Sequence, residues 1–479
     1  MTPRNNGKTP RRSLRRLALL GLSLLLAGCA QLDPNAGIRQ VQATVSARNG
    51  ESVIWQRDAQ SRAEAARLTA TLLQQPIDVD AAARLALLNN ASLQAAFAEL
   101  GKTEAEAVQS SLLHNPFLQI GVQTPRSPGS NALDFAVSWD LLGLFSLPLR
   151  QEAAEQTKSA ARLQAAMRAL ELAAHTRAAW YGYLTALETV DLLQDMKEAS
   201  ALVSEIARRL NAAGNQAGLA RANAEAADLS SRFALEDATA LTLMAHTRLS
   251  GLLGLTDTTS THFPDSLPRL PESDPAAPGR EELETQHLEL SLLKAELARA
   301  QKLASSANRT AWSDGMELGW DWSRETSGEW KDGPSFGIGL PLFDTGSAQR
   351  AAAGFEVERL QAALAARRNS LLREARLAES KMQQSRARVE ALRDTLLPLL
   401  SDAEDTALLE YNAMHRSAAE LLELKQRELE AVRQLVQSLG DYWQARTALE
   451  ALRLGVSLSL PDTGPVASIG MTTQAVGGH

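Results

Sequence analysis

The chain has 479 residues and a net charge of −7, so it is long enough for several packed units and too acidic to favour nucleic acid as a partner. Aromatic residues make up 4% of a composition that is 44% hydrophobic, which favours long, closely packed helices. After residue 29, no apolar run approaches the ~20 residues that a membrane-spanning helix needs.

The first 28 residues have the pattern of a signal peptide. Six basic residues precede an apolar run over 17–26, which is too short to span a bilayer. The run ends in Leu26-Ala27-Gly28-Cys29, a pattern typical of a bacterial lipobox, and Cys29 is the single cysteine of the chain. We expect Cys29 to be acylated and to anchor the protein in the outer membrane. An ordinary signal peptide before an incidental cysteine is the less favoured interpretation.

Removal of residues 1–28 makes the chain more acidic. The remaining residues include 43 lysines and arginines against 56 aspartates and glutamates, a net charge of −13. The sequence therefore predicts no nucleic-acid partner.

The chain contains an internal repeat. Leu163-Gln164-Ala165-Ala166 recurs as Leu360-Gln361-Ala362-Ala363, a shift of 197 residues, and other short matches keep the same order. A segment with five prolines separates the two halves. The predicted organisation is a signal peptide at 1–28, an acylated N-terminal segment at 29–79, a first repeat at 80–255, a linker at 256–280, a second repeat at 281–455 and a disordered tail at 456–479.

Each repeat is predicted as a helix, two strands, a long helix and a returning helix. The long helices would each be ~95–100 Å in length, and apolar residues at steps of three and four indicate coiled-coil seams. A short helix is expected at 58–74. The elements of the first repeat are predicted at 80–113, 116–123, 132–140, 149–211 and 217–254, and those of the second at 281–311, 315–323, 335–343, 346–412 and 417–455.

The predicted strands alternate between apolar and polar residues. In the second strand, Leu133, Phe135, Val137 and Trp139 fall on one face and polar or small residues fall on the other. A soluble antiparallel sheet that covers a core would show this pattern, and so would a membrane barrel with a polar lumen. The lipobox favours the barrel. Four tryptophans near one hairpin are expected to form an interfacial girdle: Trp312, Trp320, Trp322 and Trp330.

Four strands are too few to close a barrel. An open sheet edge in lipid leaves unpaired backbone groups, each of which costs several kcal/mol. Two copies would supply eight strands and a bore filled by side chains, whereas three copies would supply twelve and a water-filled bore. The sequence therefore predicts an oligomer, and a useful pore favours the trimer.

The turns of the two long hairpins lie farthest from the strands. They fall at 213–218 and 411–417, where glycine and asparagine give the backbone the freedom that a tight helix reversal needs. These turns are where we expect another protein to dock.

Residues 80–455 resemble the TolC-like outer-membrane efflux family. The segment Leu340-Pro341-Leu342-Phe343-Asp344-Thr345-Gly346 is similar to the strand-to-helix junction of that family. The resemblance implies a mainly helical protein with four strands per chain. Three chains would form a twelve-strand barrel over a helical tunnel, which meets a periplasmic adaptor coupled to an inner-membrane transporter. The turn residues similar to the family's adaptor-contact tips are Gly214, Asn215, Gly218, Leu219, Asn412, Met414 and Ser417.

The resemblance also implies a constriction near the second tip. Glu420 and Glu423 match acidic positions that line the narrow end, and threefold symmetry would place six carboxylates there to favour cations. Solvated surface charges are the alternative role for these residues. Two positions depart from the family pattern: Met414 stands where glycine is frequent, and Leu147-Pro148-Leu149-Arg150 replaces one of the two junctions.

The sequence shows no pattern of a catalytic or cofactor site. The histidines are scattered without ligand spacing, and no phosphate loop or nucleophile elbow occurs, so we expect no enzyme activity, no cofactor and no bound metal. The predicted function is the outer-membrane channel of a tripartite efflux system. A duct for type I protein secretion and a non-channel coiled-coil adaptor or structural lipoprotein remain alternatives, and the exported substrate stays open.

Overall fold

The computed structural model describes residues 33, 35–124, 131–214, 218–255, 261–310, 315–340, 342–343 and 345–458. The predicted signal peptide, Cys29, Asn215 and Trp312 lie outside these residues.

The first half holds six helices and two strands among its described residues. The N-terminal segment contributes two of the helices, of which the first has no counterpart in the prediction. The elements are α1 (Ala36–Asn49), α2 (Ala59–Leu72), α3 (Val79–Asn89), α4 (Ala91–Ser110), β1 (Phe117–Gln123), β2 (Ala132–Asp140), α5 (Leu141–Ala212) and α6 (Gly218–Leu253).

The second half repeats the order from α3 onwards with one difference, because its long helix is interrupted by a turn of π-helix. The elements are α7 (Arg280–Gln286), α8 (Leu288–Thr310), β3 (Met316–Arg324), β4 (Trp330–Ile338), α9 (Ser347–Ala391), the π-turn (Leu392–Leu396), α10 (Leu397–Asn412) and α11 (Ala418–Leu454).

The structure corrects the predicted helix at 80–113, which is two helices. The side chain of Asn90 accepts hydrogen bonds from the backbone N–H groups of Ser92 at 3.0 Å and Leu93 at 3.2 Å. Asn90 has extended backbone and therefore ends α3 and caps α4. The predicted helix at 281–311 is likewise divided, since His287 has extended backbone between α7 and α8.

Three other predicted boundaries are wrong. The α5 helix begins at Leu141 rather than at residue 149, because the carboxylate of Asp140 accepts the N–H of Gly143 at 2.9 Å and caps the helix. The last strand is Trp330–Ile338, five residues earlier than the predicted 335–343. The predicted helix at 346–412 is interrupted at Leu392–Leu396.

The strands that the structure describes form one antiparallel sheet in the order β1-β2-β3-β4. Each half contributes one hairpin, and the two hairpins meet where β2 pairs with β3, with Phe135 opposite Trp322. The long helices leave this sheet from the ends of β2 and β4. The predicted class, mainly helical with four strands per chain, is confirmed.

The apolar core surrounds the middle of α5. One cluster joins α5 to α1, α3 and α4 and includes the buried side chains of Val45, Leu87, Phe97 and Leu170. A second cluster lies nearer the C-terminal end of α5 and includes Trp180, whose indole N–H donates to the carbonyl of Ile77 at 2.8 Å. The N-terminal segment is thus packed into the fold.

The start of the predicted disordered tail is wrong. Val456 is fully buried, and the hydroxyl of Ser457 accepts a hydrogen bond from Arg367 at 2.6 Å. Residues 459–479 lie outside the described part of the chain. The C-terminal end of α11 is therefore fastened to the core before the tail begins.

Candidate functional site

The register of the sheet aligns one mainly apolar face across all four strands, with Arg324 and Asp332 as the charged residues near the β3–β4 turn. Val137 lies opposite Leu118 on β1 and Trp320 on β3, and Leu318 lies opposite Phe336 on β4. The side chains on β1, β3 and β4 are exposed, with Ile120 and Phe336 retaining 60% and 56% of their surface, whereas Val137 on β2 is half-buried. An exposed apolar face of this extent is typical of a surface that contacts lipid or another protein.

The opposite face of the sheet is polar and built from small residues. Asp321 lies opposite Ala136 and Gly333, and Asp134 lies opposite Gly121. Gly319 is packed closely there, since an added Cβ would lie 3.0 Å from the carbonyl oxygen of Val137. The period-two pattern of the sequence therefore becomes two chemically different surfaces.

Both edges of the sheet are open in the described chain. Among the described strands, β1 pairs with β2 alone and β4 pairs with β3 alone. Each edge therefore presents N–H and C=O groups to whatever surrounds it.

Aromatic side chains gather on the second hairpin. Trp330 stacks on Phe135 of β2 with 6.5 Å between ring centroids, and Trp320 and Trp322 lie 6.5 Å apart. Two of the four tryptophans predicted as a girdle are therefore neighbours, and Trp330 lies against Phe135, the residue opposite Trp322. Trp312 lies outside the described residues.

The first hairpin tip is formed at the end of α5. Gly214 adopts a φ of 73°, a left-handed conformation that favours glycine, and Gly218 begins α6. Leu219 projects from the first turn of α6 with 73% of its surface exposed.

The second tip presents an exposed apolar side chain on a strained backbone. Asn412 ends α10, and Met414 is the non-glycine residue at positive φ (61°) among the described residues. Its side chain is 94% exposed. The turn is held by an ion pair of 2.7 Å between Arg416 and Glu410, so Met414 projects from an ordered turn.

Ser417 and Glu420 form a reciprocal cap at the start of α11. The Glu420 carboxylate accepts the N–H of Ser417 at 2.9 Å, and the Ser417 hydroxyl accepts the N–H of Glu420 at 3.3 Å. The hydrogen bond from the Ser417 backbone lowers the pKa of Glu420 below its ordinary value. Ser417, predicted as a tip contact, therefore has a structural role in the capping box.

Glu423 lies one turn after Glu420 and has a different partner. Its carboxylate accepts from Arg427 at 2.7 Å, and both side chains are exposed. Glu423 also borders a groove of about 300 Å³ between α11 and the first hairpin. The two carboxylates are thus near one another in the chain, but Glu420 is hydrogen-bonded to Ser417 and Glu423 is paired with Arg427.

The structure adds a polar contact that the sequence analysis did not identify. Lys425 donates to Glu404 on α10 at 3.4 Å and to Glu428 at 2.5 Å. Burial and the nearby Glu428 raise the pKa of Glu404, whereas the bond from Lys425 lowers the pKa of Glu428. These three residues join the two helices of the second hairpin. A complementary charge pattern across the two helices was the signal available in the sequence.

Two other features are absent from the described residues. No group of three or more histidine, cysteine, aspartate or glutamate side chains in this part of the chain is arranged to hold a metal ion. None of the described helices combines the length and the apolar character needed to cross a membrane.

The chain is similar in sequence to the cobalt-zinc-cadmium resistance protein CzcC of Cupriavidus metallidurans. The two are 26% identical over 380 residues, which cover 79% of this chain and 90% of CzcC. No family model matches the sequence.

The fold is similar to those of solved channel proteins. CusC, whose structures describe the formation of a transmembrane channel, superposes with a TM-score of 0.65 at 16% identity, over 80% of this chain and 93% of CusC. The CmeC outer membrane channel of Campylobacter jejuni superposes with a TM-score of 0.63 at 18% identity, over 80% of this chain and 87% of CmeC.

The likeness in sequence to CzcC and the likeness in fold to solved channels both agree with the resemblance to the TolC-like outer-membrane efflux family. The family resemblance stated from the junction and tip residues is therefore confirmed. Two backbone features mark the second hairpin of this chain: Met414 has a positive φ at the tip, and a π-turn interrupts the descending helix.

Proposed function

We propose that this protein is the outer-membrane channel of a tripartite efflux system, a passive duct rather than an enzyme. The observation that carries the proposal is the sheet, which has one mainly apolar face across all four strands, one polar face and two open edges. An apolar exterior and a polar interior are the features of a membrane barrel around an aqueous lumen. The likeness in sequence to CzcC and in fold to the solved outer-membrane channels supports the same function.

The working unit in this proposal is a homotrimer. The β1 edge of one copy would pair with the β4 edge of the next, because unpaired backbone groups in lipid each cost several kcal/mol. Three copies supply twelve strands, and a barrel of that size leaves room for water. The long helices of the three copies would continue the lumen into the periplasm.

The proposed location is the outer membrane, with most of the chain in the periplasm. Cys29 is the proposed acylation site, supported by its lipobox pattern. Acyl chains contribute ~0.8 kcal/mol for each buried methylene, so a multiply acylated Cys29 would be a firm anchor beside the barrel.

The proposed docking surface for the periplasmic adaptor is the pair of hairpin tips. Leu219 and Met414 are exposed apolar side chains on turns, and each can enter an apolar depression of a partner. Gly214, Asn215, Gly218, Asn412 and Ser417 would shape the two turns around them. The adaptor would connect the channel to an inner-membrane pump.

The substrate class to test first is the divalent transition-metal cation. The relative CzcC is named for resistance to cobalt, zinc and cadmium. A lumen lined by the carboxylates of Glu420 and Glu423 would admit such cations. Deletion of the gene should raise sensitivity to these three metals. An unchanged metal sensitivity together with impaired release of a secreted protein would favour the type I secretion duct.

The channel proposal is tested by planar-bilayer recording of the purified, acylated protein. We expect a trimer in detergent and a small cation-preferring conductance. The double variant Glu420→Gln/Glu423→Gln should raise conductance and reduce cation preference, because it removes six charges from the trimer. Glutamine at residue 420 can still serve the capping box, so the helix start is kept.

The matched control is Glu64→Gln on α2, an exposed charge far from the tips. Its conductance and selectivity should equal those of the unmodified protein. A protein that stays monomeric in detergent and conducts no ions would contradict the channel. A conducting trimer whose ion selectivity is the same with and without the double variant would contradict the placement of Glu420 and Glu423 at the constriction.

A further inference from the structure

The N-terminal segment contains an open cleft between α1 and α2. One wall is the face of α1 that runs from Asn35 to Ser46, and the other is the face of α2 that runs from Ser61 to Leu68. Residues 52–57, which are neither helix nor strand, contribute the rest of the lining. The cleft has a volume of about 850 Å³, which is within the range of sites that hold a ligand.

The base of this α1–α2 cleft is apolar. Ile38 and Val53 are buried members of the core cluster around α5, and Trp55 packs against the same cluster. Ile54 and Leu68 are half-buried and also line the cleft. An apolar group that enters the cleft would therefore extend an existing core and remove further apolar surface from water.

The backbone at the base of the cleft has unused donors. Its carbonyl groups are bound, since Gln42 donates to Val53 and Gln94 donates to Ile54, each at 2.9 Å. The N–H groups of Val53, Ile54 and Trp55 have no acceptor among the described residues. Buried N–H groups are normally paired, and an extended peptide laid along such a segment supplies carbonyl acceptors.

The charged side chains of the cleft already have partners. Arg39 is paired with Asp33 at 2.5 Å, the guanidinium of Arg57 lies 5.4 Å from the centroid of the Trp55 ring, and Asp58 caps α2. A charged occupant would lose hydration without gaining a free counter-charge, so the cleft favours a neutral one. The ionic residues of the lining also balance one another: Arg39, Arg57, Asp58 and Glu64.

The C-terminal end of the described chain arrives beside this cleft. Arg48 on α1 donates to the carbonyl of Leu454 at 2.7 Å, and it lies two residues after Ser46, which lines the cleft. Val456 is fully buried, and Leu458 packs against the core cluster at the base of the cleft. The residues that follow Leu458 therefore start close to one end of the cleft.

The sequence after Leu458 fits the cleft in charge and length. Among residues 459–479, Asp462 is the single acidic or basic residue, and the segment 466–471 contains no proline. At ~3.3 Å per residue, this segment in an extended form is ~20 Å long. The α1 wall from Asn35 to Ser46 measures ~17 Å at 1.5 Å per residue. The segment carries three large apolar side chains: Val466, Ile469 and Met471.

We propose that residues 466–471 of the same chain occupy the α1–α2 cleft. Their carbonyl groups accept the N–H groups of Val53, Ile54 and Trp55, and their apolar side chains cover the base of the cleft. The tail then braces α1, so both ends of the chain are fastened to one core cluster. This role is independent of ion conduction and of the hairpin tips.

The occupant is tested by the alkylation rate of a thiol placed in the cleft. Ala43→Cys puts the thiol at an exposed position of the α1 wall. Reaction of the purified protein with N-ethylmaleimide is followed by mass spectrometry, and a protein with Cys29 alone measures the background. We expect the thiol in the full chain to react about tenfold more slowly than in a chain that ends at Leu458.

The matched control is Ala63→Cys, at an exposed alanine of α2 that does not line the cleft. Its thiol should react at the same rate in the full and the shortened chain. Circular dichroism verifies that the shortened chain is folded. If it is not, the full-length variants described next carry the test without any deletion.

The segment is assigned by two substitutions in the tail of the full chain that carries Ala43→Cys. Ile469→Asp puts a charge against the apolar base and should raise the alkylation rate to that of the shortened chain. Thr473→Asp adds the same charge outside the segment and should leave the protection intact. Equal effects of the two substitutions would overturn the assignment to residues 466–471.

The source of the occupant is tested by co-expression of two chains. A shortened chain with Ala43→Cys is combined with a full-length chain that lacks it, and the thiol should stay reactive. Protection in this mixture would mean that the tail of a second copy fills the cleft, which would overturn the proposal. A thiol that reacts equally slowly in the full and shortened chains would show a different cover, and one that reacts rapidly in both would show an empty cleft; either result would also overturn it.

Discussion

The guanidinium of Arg386 on α9 forms two hydrogen bonds to the carboxylate of Asp274 in the linker, at 2.7 Å and 2.8 Å. Both side chains are about four-fifths buried, and the hydroxyl of Tyr442 donates to the same carboxylate at 2.6 Å. These bonds raise the pKa of Arg386 and lower that of Asp274, so both groups stay charged. The pair fastens the linker between the repeats to the second hairpin.

Replacement of Asp274 by alanine is expected to lower the free energy of unfolding by about 2 kcal/mol, because it leaves Arg386 and Tyr442 without their shared acceptor. Urea unfolding followed by circular dichroism measures the change. The control is Glu356→Ala, which breaks an exposed ion pair with Arg359 and should shift nothing measurable. Equal effects of the two variants would mean that the linker contact is not stabilising.

Gly440 allows α11 to approach α5 closely. A Cβ added at this position would lie 2.8 Å from Cγ2 of Thr185. Gly440→Ala should therefore destabilise the fold by about 1–3 kcal/mol, since neither helix can move away without loss of packing. The double variant with Thr185→Ala should recover most of that loss, as measured by a double-mutant cycle in urea.

Gly354 on α9 is the matched control for this substitution. An added Cβ there would meet nothing within 4 Å, so Gly354→Ala should stabilise the helix by up to about 1 kcal/mol. A loss of stability in both variants would show that the contact with Thr185 is not the cause.

His287 makes the stability of the fold depend on pH. Its ring is fully buried, and neither ring nitrogen has a hydrogen-bond partner in the described structure. Burial, followed by the nearby charge of Arg367, lowers the pKa of His287 to about 4 from 6.5. The unfolded chain therefore binds a proton at a higher pH than the folded chain does.

The free energy of unfolding should fall as the pH drops through the interval from 6.5 to 4, by up to about 3 kcal/mol in total. Above pH 6.5 the histidine is neutral in both states and has no effect. His287→Leu should abolish this dependence when urea midpoints are compared at about pH 7.5 and about pH 5. His415→Leu, at an exposed tip position, should leave it intact. A variant at residue 287 that keeps the full acid sensitivity would refute this assignment.

Because Met414 has a left-handed backbone, its replacement by glycine is expected to stabilise the second tip. Met414→Gly removes a conformational cost of about 1–2 kcal/mol, which the greater freedom of glycine in the unfolded chain partly offsets. Hydrogen exchange at the second tip should slow or stay unchanged. Faster exchange would show that the methionine side chain, rather than the backbone, holds the turn.

Loss of adaptor binding in a variant with a stable tip would support Met414 as an apolar anchor.

The predicted strands were accurate where apolar and polar residues alternate without interruption. Alternation of apolar and polar residues identified β2 at 132–140, which is its observed extent. The same reasoning placed β4 five residues too late, because Gly333 and Pro334 have the composition of a turn and interrupt the alternation in the first part of that strand. The two hairpin turns were located from glycine and asparagine, which mark helix reversals through backbone conformation.

The sequence by itself determined the long helices, the two-faced strands, the duplicated order and the tips, because each depends on spacing and backbone preference within a few residues. The tertiary structure alone decided that β2 pairs with β3, that Asp274 binds a side chain 112 residues away, and that the indole of Trp180 donates to the carbonyl of Ile77. Such contacts join residues by three-dimensional proximity, and no local pattern in the chain encodes which distant group will arrive as a partner.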